Sequence, residues 1–270
     1  MKSSGTGLKT YAIAYLIFLY APILLLPLFA FNDGTIIAFP LKGFTTKWFE
    51  ALAERDQLHR AVVNSLIVGS SSAALATLLG IFAARASTRY AFPGKGGIMA
   101  MIMLPLVLPE IIVASAILVV LLQLGVSLNV FTIILGHVLI CTPFAIAILS
   151  ASFQSLDKSL EEAAYDLGET KWSTFRLIIL PLVMPGIISA LLISFTISID
   201  EFILASFLGG SEPTLPVYIY SQLRFPKEIP VIMAVATCLV AVSILLLIIA
   251  EYFRRRGIAR TGGKDTGGFL

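Results

Sequence analysis

The chain has 270 residues, 58% of them hydrophobic and only 13% charged, with a mean hydropathy of +0.95. Soluble domains are about 45–50% apolar and about 25% charged, so this composition cannot cover an ordinary water-facing surface. The net charge of +3 comes from basic residues scattered between apolar runs, which argues against a nucleic-acid-binding face, and Cys141 and Cys238 lie inside such runs and read as small buried hydrophobes, not as a disulfide framework.

Stretches free of charge cover residues 11–32, 61–84, 96–109, 111–156, 177–199 and 229–250. A membrane-spanning helix needs about 20 apolar residues, and 111–156 is long enough that it must turn back on itself. Six spans are predicted, at about 11–31, 61–84, 98–122, 130–152, 183–208 and 231–252. Lys2 and Lys9 precede the first run as in a secretory signal, but the run is long, contains Pro22 and Pro27, and shows no clear cleavage pattern near Ala30, so it reads as a retained helix. The segment 32–60 opens on the turn signal Asn32-Asp33-Gly34 and continues into a short amphipathic helix, where Trp48 and Phe49 suit the headgroup region. A tight turn at Gln123–Asn129, with Gly125 and Ser127, separates the third and fourth spans. The segment 209–230, with Gly209-Gly210 and Pro213, Pro216, Pro226 and Pro230, reads as a shaped loop.

Basic residues set the orientation. One side receives Lys2, Lys9, Arg85, Arg89, Lys95, Lys158, Lys171, Arg176, Arg254, Arg255, Arg256, Arg260 and Lys264, and the other receives Lys42, Lys47, Arg55, Arg60, Arg224 and Lys227. The richer side is expected to be cytoplasmic, with both termini inside, as an even number of spans requires. A cytoplasmic N-terminus (1–10) and tail (253–270) then flank one transmembrane domain, 11–252, with external loops at 32–60 and 209–230 and an internal loop at 153–182. The Gly-rich tail from Gly257 to Leu270 is expected to lack fixed structure.

The internal loop is more than a connector. Asp157 can cap a helix with Glu161 and Glu162 in its first turn, near the positive end of the helix dipole; a capping box between Ser159 and Glu162 is the alternative start. Leu156, Leu160, Ala163, Ala164 and Leu167 recur at helical spacing, and Gly168 is placed to end the helix in a left-handed conformation. A second short helix is expected from about Thr170, carrying Trp172, Phe175, Ile178 and Ile179 and stopping before Pro181. The residues alone leave an interfacial hairpin, a partner-docking element and a lipid sensor all open.

The pattern Glu162-Ala163-Ala164, three residues, Gly168, nine residues, Ile178, one residue, Leu180-Pro181 resembles in full the loop motif of permease subunits of binding-protein-dependent ABC importers. Nearly the whole chain is similar to the spermidine/putrescine permeases, in particular the second of their two permease subunits. The segments that carry the likeness are Gly43 to Trp48, Ser194 to Phe202 and Leu215 to Ser221; Phe225-Pro226-Lys227-Glu228-Ile229-Pro230 departs from it. The resemblance implies an all-α polytopic membrane protein with the six-helix permease fold of type I ABC importers, and coupling helices on the cytoplasmic side between spans four and five. It implies that Glu162, Ala163, Ala164 and Gly168 enter a groove of a cytoplasmic ATPase and that Leu180-Pro181 join the loop to the fifth span. It further implies a second permease subunit, a paralogue or a copy, two ATPase subunits and a periplasmic substrate-binding protein, all assembled in a bacterial inner membrane.

Few polar groups interrupt the spans. Asp200 and Glu201 lie at the far end of the fifth, and Glu110 follows Pro109 in the third. A carboxylate at bilayer depth costs about 2.5–3.5 kcal/mol on insertion scales, so such residues face a cavity or a partner, and a polycation passing them would recover part of its lost hydration. Glu110, Asp200 and Glu201 are therefore candidate pathway residues; the alternatives are structural pairing with another subunit or a simply interfacial position for Asp200 and Glu201, and a structural role at the proline kink for Glu110. Tyr218 and Tyr220 join them as aromatic candidates on the external side. His137 reads as a hydrogen-bonded packing residue, since no partner stands at metal-ligand spacing, and Phe18, Phe29, Phe144 and Phe195 read as packing residues. Pro105, Pro109, Pro143 and Pro185 are expected to kink or break helices.

No Gly-x-x-x-x-Gly-Lys-Ser/Thr sequence is present, so nucleotide hydrolysis is expected on another chain, and no catalytic residue, metal or cofactor is expected in this one. The expected function is ATP-driven import of a polyamine, spermidine or putrescine. The alternatives are another small organic cation, an amino-acid derivative or a metal chelate as cargo, or a secondary transporter driven by an ion gradient.

Overall fold

In the computed structural model the described residues, 4–261, are almost entirely helical. They form two compact units, Met1–Asp56 with Ser221–Leu270, and Gln57–Tyr220. Among the described residues, five helices are long and apolar enough to cross a membrane, or up to six when one bent pair is counted as a single span.

In the first unit, α1 (Ser4–Ala30) packs on α12 (Ile229–Thr261), and the short α2 (Lys47–Ala53) packs on α12 as well. The turn after α1 is organised by Asn32, a buried residue whose Oδ1 accepts from the Lys42 backbone N–H at 3.0 Å. The Trp48 indole donates to the Asn32 carbonyl at 2.8 Å, which fixes the amphipathic helix expected there. Arg55 and Glu228 form an ion pair at 2.5 Å. Helix α12 extends to Thr261 and so takes in the first residues of the expected tail; residues 262–270 lie outside the described residues.

The second unit is built on α3 (Asp56–Arg89), α6 (Val130–Gln154) and α9 (Leu180–Asp200), with α6 and α9 as its main pairing. One core cluster gathers Val68, Ala76, Ile133, Ile140, Cys141 and Leu204; a second, further along the same helices, gathers Ala84, Leu149, Phe153, Ile179 and Val183. Small residues let the helices close up. A Cβ built on Gly186 would stand 2.0 Å from Ser152 Oγ, so α6 and α9 touch at a point where only glycine fits. Large apolar side chains elsewhere on the helices face outward, among them Phe82, Ile112 and Leu192, as a surface bathed in lipid requires.

Four expectations are corrected. The third span is not one helix: α4 (Lys95–Met103) and a short 3₁₀ turn, Leu104–Leu106, meet α5 (Glu110–Gln123) at a bend of 104°. Pro105 and Pro109 supply no N–H, and Pro109 sits at ψ 129 as an extended N-cap, so the helix cannot run through. The fifth span ends at Asp200, and the rest of the predicted stretch forms a separate helix, α10 (Ile203–Leu208). The 209–230 segment contains a helix, α11 (Leu215–Leu223), because Pro216 suits a first turn and the free Leu215 N–H is taken up by Ser65 Oγ at 2.8 Å. Cys238 is exposed, whereas Cys141 is buried as expected. Pro143 and Pro185, by contrast, sit inside continuous helices.

Candidate functional site

The 153–182 segment forms a short helical hairpin. Helix α7 (Ser159–Asp166) starts with Asp157 Oδ1 accepting from the Ser159 N–H at 3.0 Å, so Asp157 caps it. That hydrogen bond also holds the Asp157 carboxyl below its ordinary pKa. Gly168 ends the helix at φ +87, with its own N–H bonded to the Tyr165 carbonyl and the Glu169 N–H bonded to that of Ala164. Those two bonds are the Schellman arrangement that a left-handed glycine permits.

The second helix, α8 (Lys171–Thr174), begins where predicted. Thr170 is its N-cap, and the hydroxyl accepts from the Ser173 N–H at 3.2 Å. It does not stop before Pro181. A π turn, Phe175–Ile179, carries it directly into α9, with Leu180 helical at φ −58 and its N–H bonded to the Phe175 carbonyl. Pro181 has no N–H to offer and falls in the first turn of α9, where none is needed; the wider π turn absorbs the change of register.

Glu162, Ala163 and Gly168 are exposed, whereas Ala164 is buried within the chain. Leu167 (87% exposed) and Trp172 (66% exposed) leave an apolar tip uncovered. On the other side Glu161 forms ion pairs with Arg85 and Arg89 from the end of α3. Burial pushes the Glu161 carboxyl up in pKa, but the hydrogen bond and charge of Arg85, with Arg89, outweigh it and hold the group below its ordinary value. Sequence reasoning missed this pairing; the only signal was two basic residues, Arg85 and Arg89, one helical turn apart at the end of a span.

The second site lies where two helices break. A cavity of about 660 Å³ is lined by Pro105, Leu106, Leu108 and Glu110 from the α4–α5 bend and by Asp200, Glu201, Phe202 and Ile203 from the α9–α10 break. Ile140, Phe144, Thr196 and Ile197 complete its wall. All three acidic residues singled out in the spans thus meet at one cavity. Glu110 sits in the first turn of α5, the favourable end of that helix for a carboxylate. Glu201 is buried, and its Oε1 accepts from the Leu204 N–H at 2.8 Å, holding the start of α10. Glu201 also feels the charges of Glu110 and Asp200. Among the described residues no ion pair joins any of the three.

The tyrosines divide. Tyr220 packs against Phe202 with the rings tilted by 50° and their centres 4.8 Å apart, one residue removed from the cavity, while Tyr218 is buried in the packing of its own unit. Phe144, expected only to pack, is part of the wall. His137 is fully buried with Nδ1 2.7 Å from Ser198 Oγ, the hydrogen-bonded packing role expected of it. The described residues hold no group of three or more His, Cys, Asp or Glu arranged for a metal.

A family model described as "Binding-protein-dependent transport system inner membrane component" matches residues 76–258, which include the hairpin, the π turn and the cavity. The chain belongs to this family. The spermidine/putrescine transport system permease protein PotC of Escherichia coli (strain K12) is 34% identical over 250 residues, 92% of this chain and 93% of that one. The putrescine transport system permease protein PotI of the same strain is 36% identical over 247 residues, 88% of this chain and 87% of that one. In fold the chain is similar to a subunit of a bacterial ABC transporter involved in the import of the acidic polysaccharide alginate, with a TM-score of 0.70 at 17% identity over 94% of this chain and 99% of that one. An amino acid ABC transporter gives a TM-score of 0.57 at 20% identity, over 79% of this chain and 100% of that one.

Proposed function

We propose that this chain is one of two permease subunits of an ATP-driven importer and that it passes a polyamine, spermidine or putrescine, across the bacterial inner membrane. The observation that carries the reading is the meeting of Glu110, Asp200 and Glu201 at a single cavity formed by two interrupted helices. Irregular backbone at membrane depth is tolerated where it lines a polar cavity, and carboxylates without basic partners offer a polycation the charge it loses with its water. The relatives named for spermidine and putrescine support the same cargo.

The bent α4–α5 pair counts as the third of six spans in this reading, the 11–252 stretch acts as one permease domain, and both termini are cytoplasmic. The 153–182 hairpin then lies between spans four and five on the inner side. Glu162, Ala163 and Gly168 face an ATPase subunit, and Leu180-Pro181, in the first turn of α9, pass its motion into span five. Ala164 serves from within, as the small residue that lets the hairpin close. Hydrolysis occurs on two ATPase subunits, a paralogous permease completes the pathway, and a periplasmic binding protein delivers the cargo. Tyr220 flanks the cavity through Phe202, and Tyr218 holds the helix that carries Tyr220.

The test is uptake of labelled spermidine and putrescine into vesicles holding the assembled transporter with Asp200→Asn or Glu110→Gln. Reduced uptake with unchanged ATPase association is expected. Unchanged uptake across the concentration range contradicts the assignment.

A further inference from the structure

We infer that Glu161, gripped by Arg85 and Arg89, is the positioning joint through which movement of the hairpin reaches α3; the inference rests on the reading above that the hairpin docks on an ATPase. The hairpin is joined by the chain to α6 at one end and through the π turn to α9 at the other, so those helices follow it by connectivity. Helix α3 has no such connection, and the Glu161 cluster supplies one. Arg85 Nη1 and Nη2 donate to Glu161 Oε1 and Oε2 at 2.9 and 2.6 Å, a two-pronged contact that fixes both distance and orientation. Arg89 Nε lies 2.9 Å from Glu161 Oε1, and Arg89 Nη2 donates to the Leu156 carbonyl at 2.9 Å.

Two features separate this cluster from an ordinary surface pair. The Arg85 and Glu161 side chains are each 12% exposed, and exposed pairs contribute little because solvent screens them and their side chains wander; this one is neither screened nor loose. Arg85 also stacks its guanidinium over Phe153 at the end of α6, at 6.0 Å, and over Phe175 at the start of the π turn, at 5.8 Å. One side chain from α3 therefore touches α6, α7 and the π turn together. Neighbouring helix positions lie about 100° apart around the axis, so Glu161 turns inward while Glu162 and Ala163 remain on the open face. The docking residues and the transmitting residue are consecutive in the chain.

The experiment uses the whole transporter reconstituted in vesicles, with ATP hydrolysed per polyamine imported as the readout. Glu161→Gln keeps the size and removes the charge. We expect the ATPase subunits to remain bound and hydrolysing while the ATP used per imported molecule rises about two- to thirtyfold, the range by which residues linking two sites alter coupling. An unchanged ratio in Glu161→Gln overturns the inference. Loss of the ATPase subunits from that variant overturns it too, since Glu161 would then belong to the docking surface. A wild-type chain that binds no ATPase at all removes the reading beneath it, a failure distinct from either.

Discussion

The carboxylate of Glu161 and the group Glu110, Asp200 and Glu201 all stand near helix ends in one chain, yet their surroundings are opposite. Glu161 meets two guanidinium groups and is nearly closed off from solvent. The other three line an open space, Glu201 feels the charge of Glu110 and Asp200, and among the described residues no ion pair joins any of them. In the function proposed above, the paired carboxylate holds the hairpin in place and the carboxylates around the cavity meet the cation, Glu201 also holding the start of α10. In that reading the difference separates a mechanical element from a conducting one.

Breaking the paired region is expected to have the largest effect. Arg85→Ala strips Glu161 of its forked partner but leaves Arg89 beside it, so the loss is about 1.5–3 kcal/mol, that of a hydrogen bond to a charged group; thermal unfolding of the purified chain should fall accordingly, with Arg89→Ala falling less. Loss of stability no greater than for an exposed arginine would erase the contrast. The unpaired region should respond the other way. Glu110→Gln with Asp200→Asn changes stability by no more than about 0.5 kcal/mol, while polyamine uptake drops by about tenfold to a hundredfold, matching about 1.5–3 kcal/mol for a hydrogen bond to a charged group.

A smaller effect is expected from Gly168→Ala. Nothing stands within 4 Å of an added Cβ, so the penalty is the left-handed backbone alone, about 1–2 kcal/mol, seen as weaker recovery of the ATPase subunits with the chain. The smallest effect is on pH dependence. The Glu161 carboxyl titrates below its ordinary value in the folded chain, so its stabilising contribution is complete above that ordinary value and disappears as pH falls through the lower, folded one. Melting curves of the wild type and Glu161→Gln should differ at neutral pH and converge in acid; a gap that stays constant with pH would mean the charge of Glu161 does not stabilise the fold.

The sequence made the spans and the hairpin readable because both are local. Apolar runs mark the helices, Asp157, Thr170 and Gly168 mark the ends of the hairpin helices, and each does what its chemistry dictates. The 104° bend at Pro105 and Pro109 was visible as a kink but not in its extent, since two prolines forbid a straight helix without fixing the angle. The break after Asp200 had no proline to announce it; Glu201 makes it by leaving the helix and capping α10 from outside. Continuity through Pro181 was hidden for the converse reason, because a π turn lets a proline follow a helix that ordinary geometry would end. Glu110, Asp200 and Glu201 could each be suspected as charges in apolar runs, but their meeting joins positions about ninety residues apart, as does the Arg85–Glu161 contact over seventy-six. No pattern in the intervening sequence encodes such pairings.

The most direct measurement is photolabelling of the working transporter with a spermidine analogue carrying a photoreactive group, followed by mapping of the labelled residues. The account predicts label on the cavity wall around Phe144, Thr196 and Phe202, displaced by free spermidine and reduced in Asp200→Asn. Displaceable label confined to other surfaces of the chain, with the cavity untouched during active uptake, would contradict it.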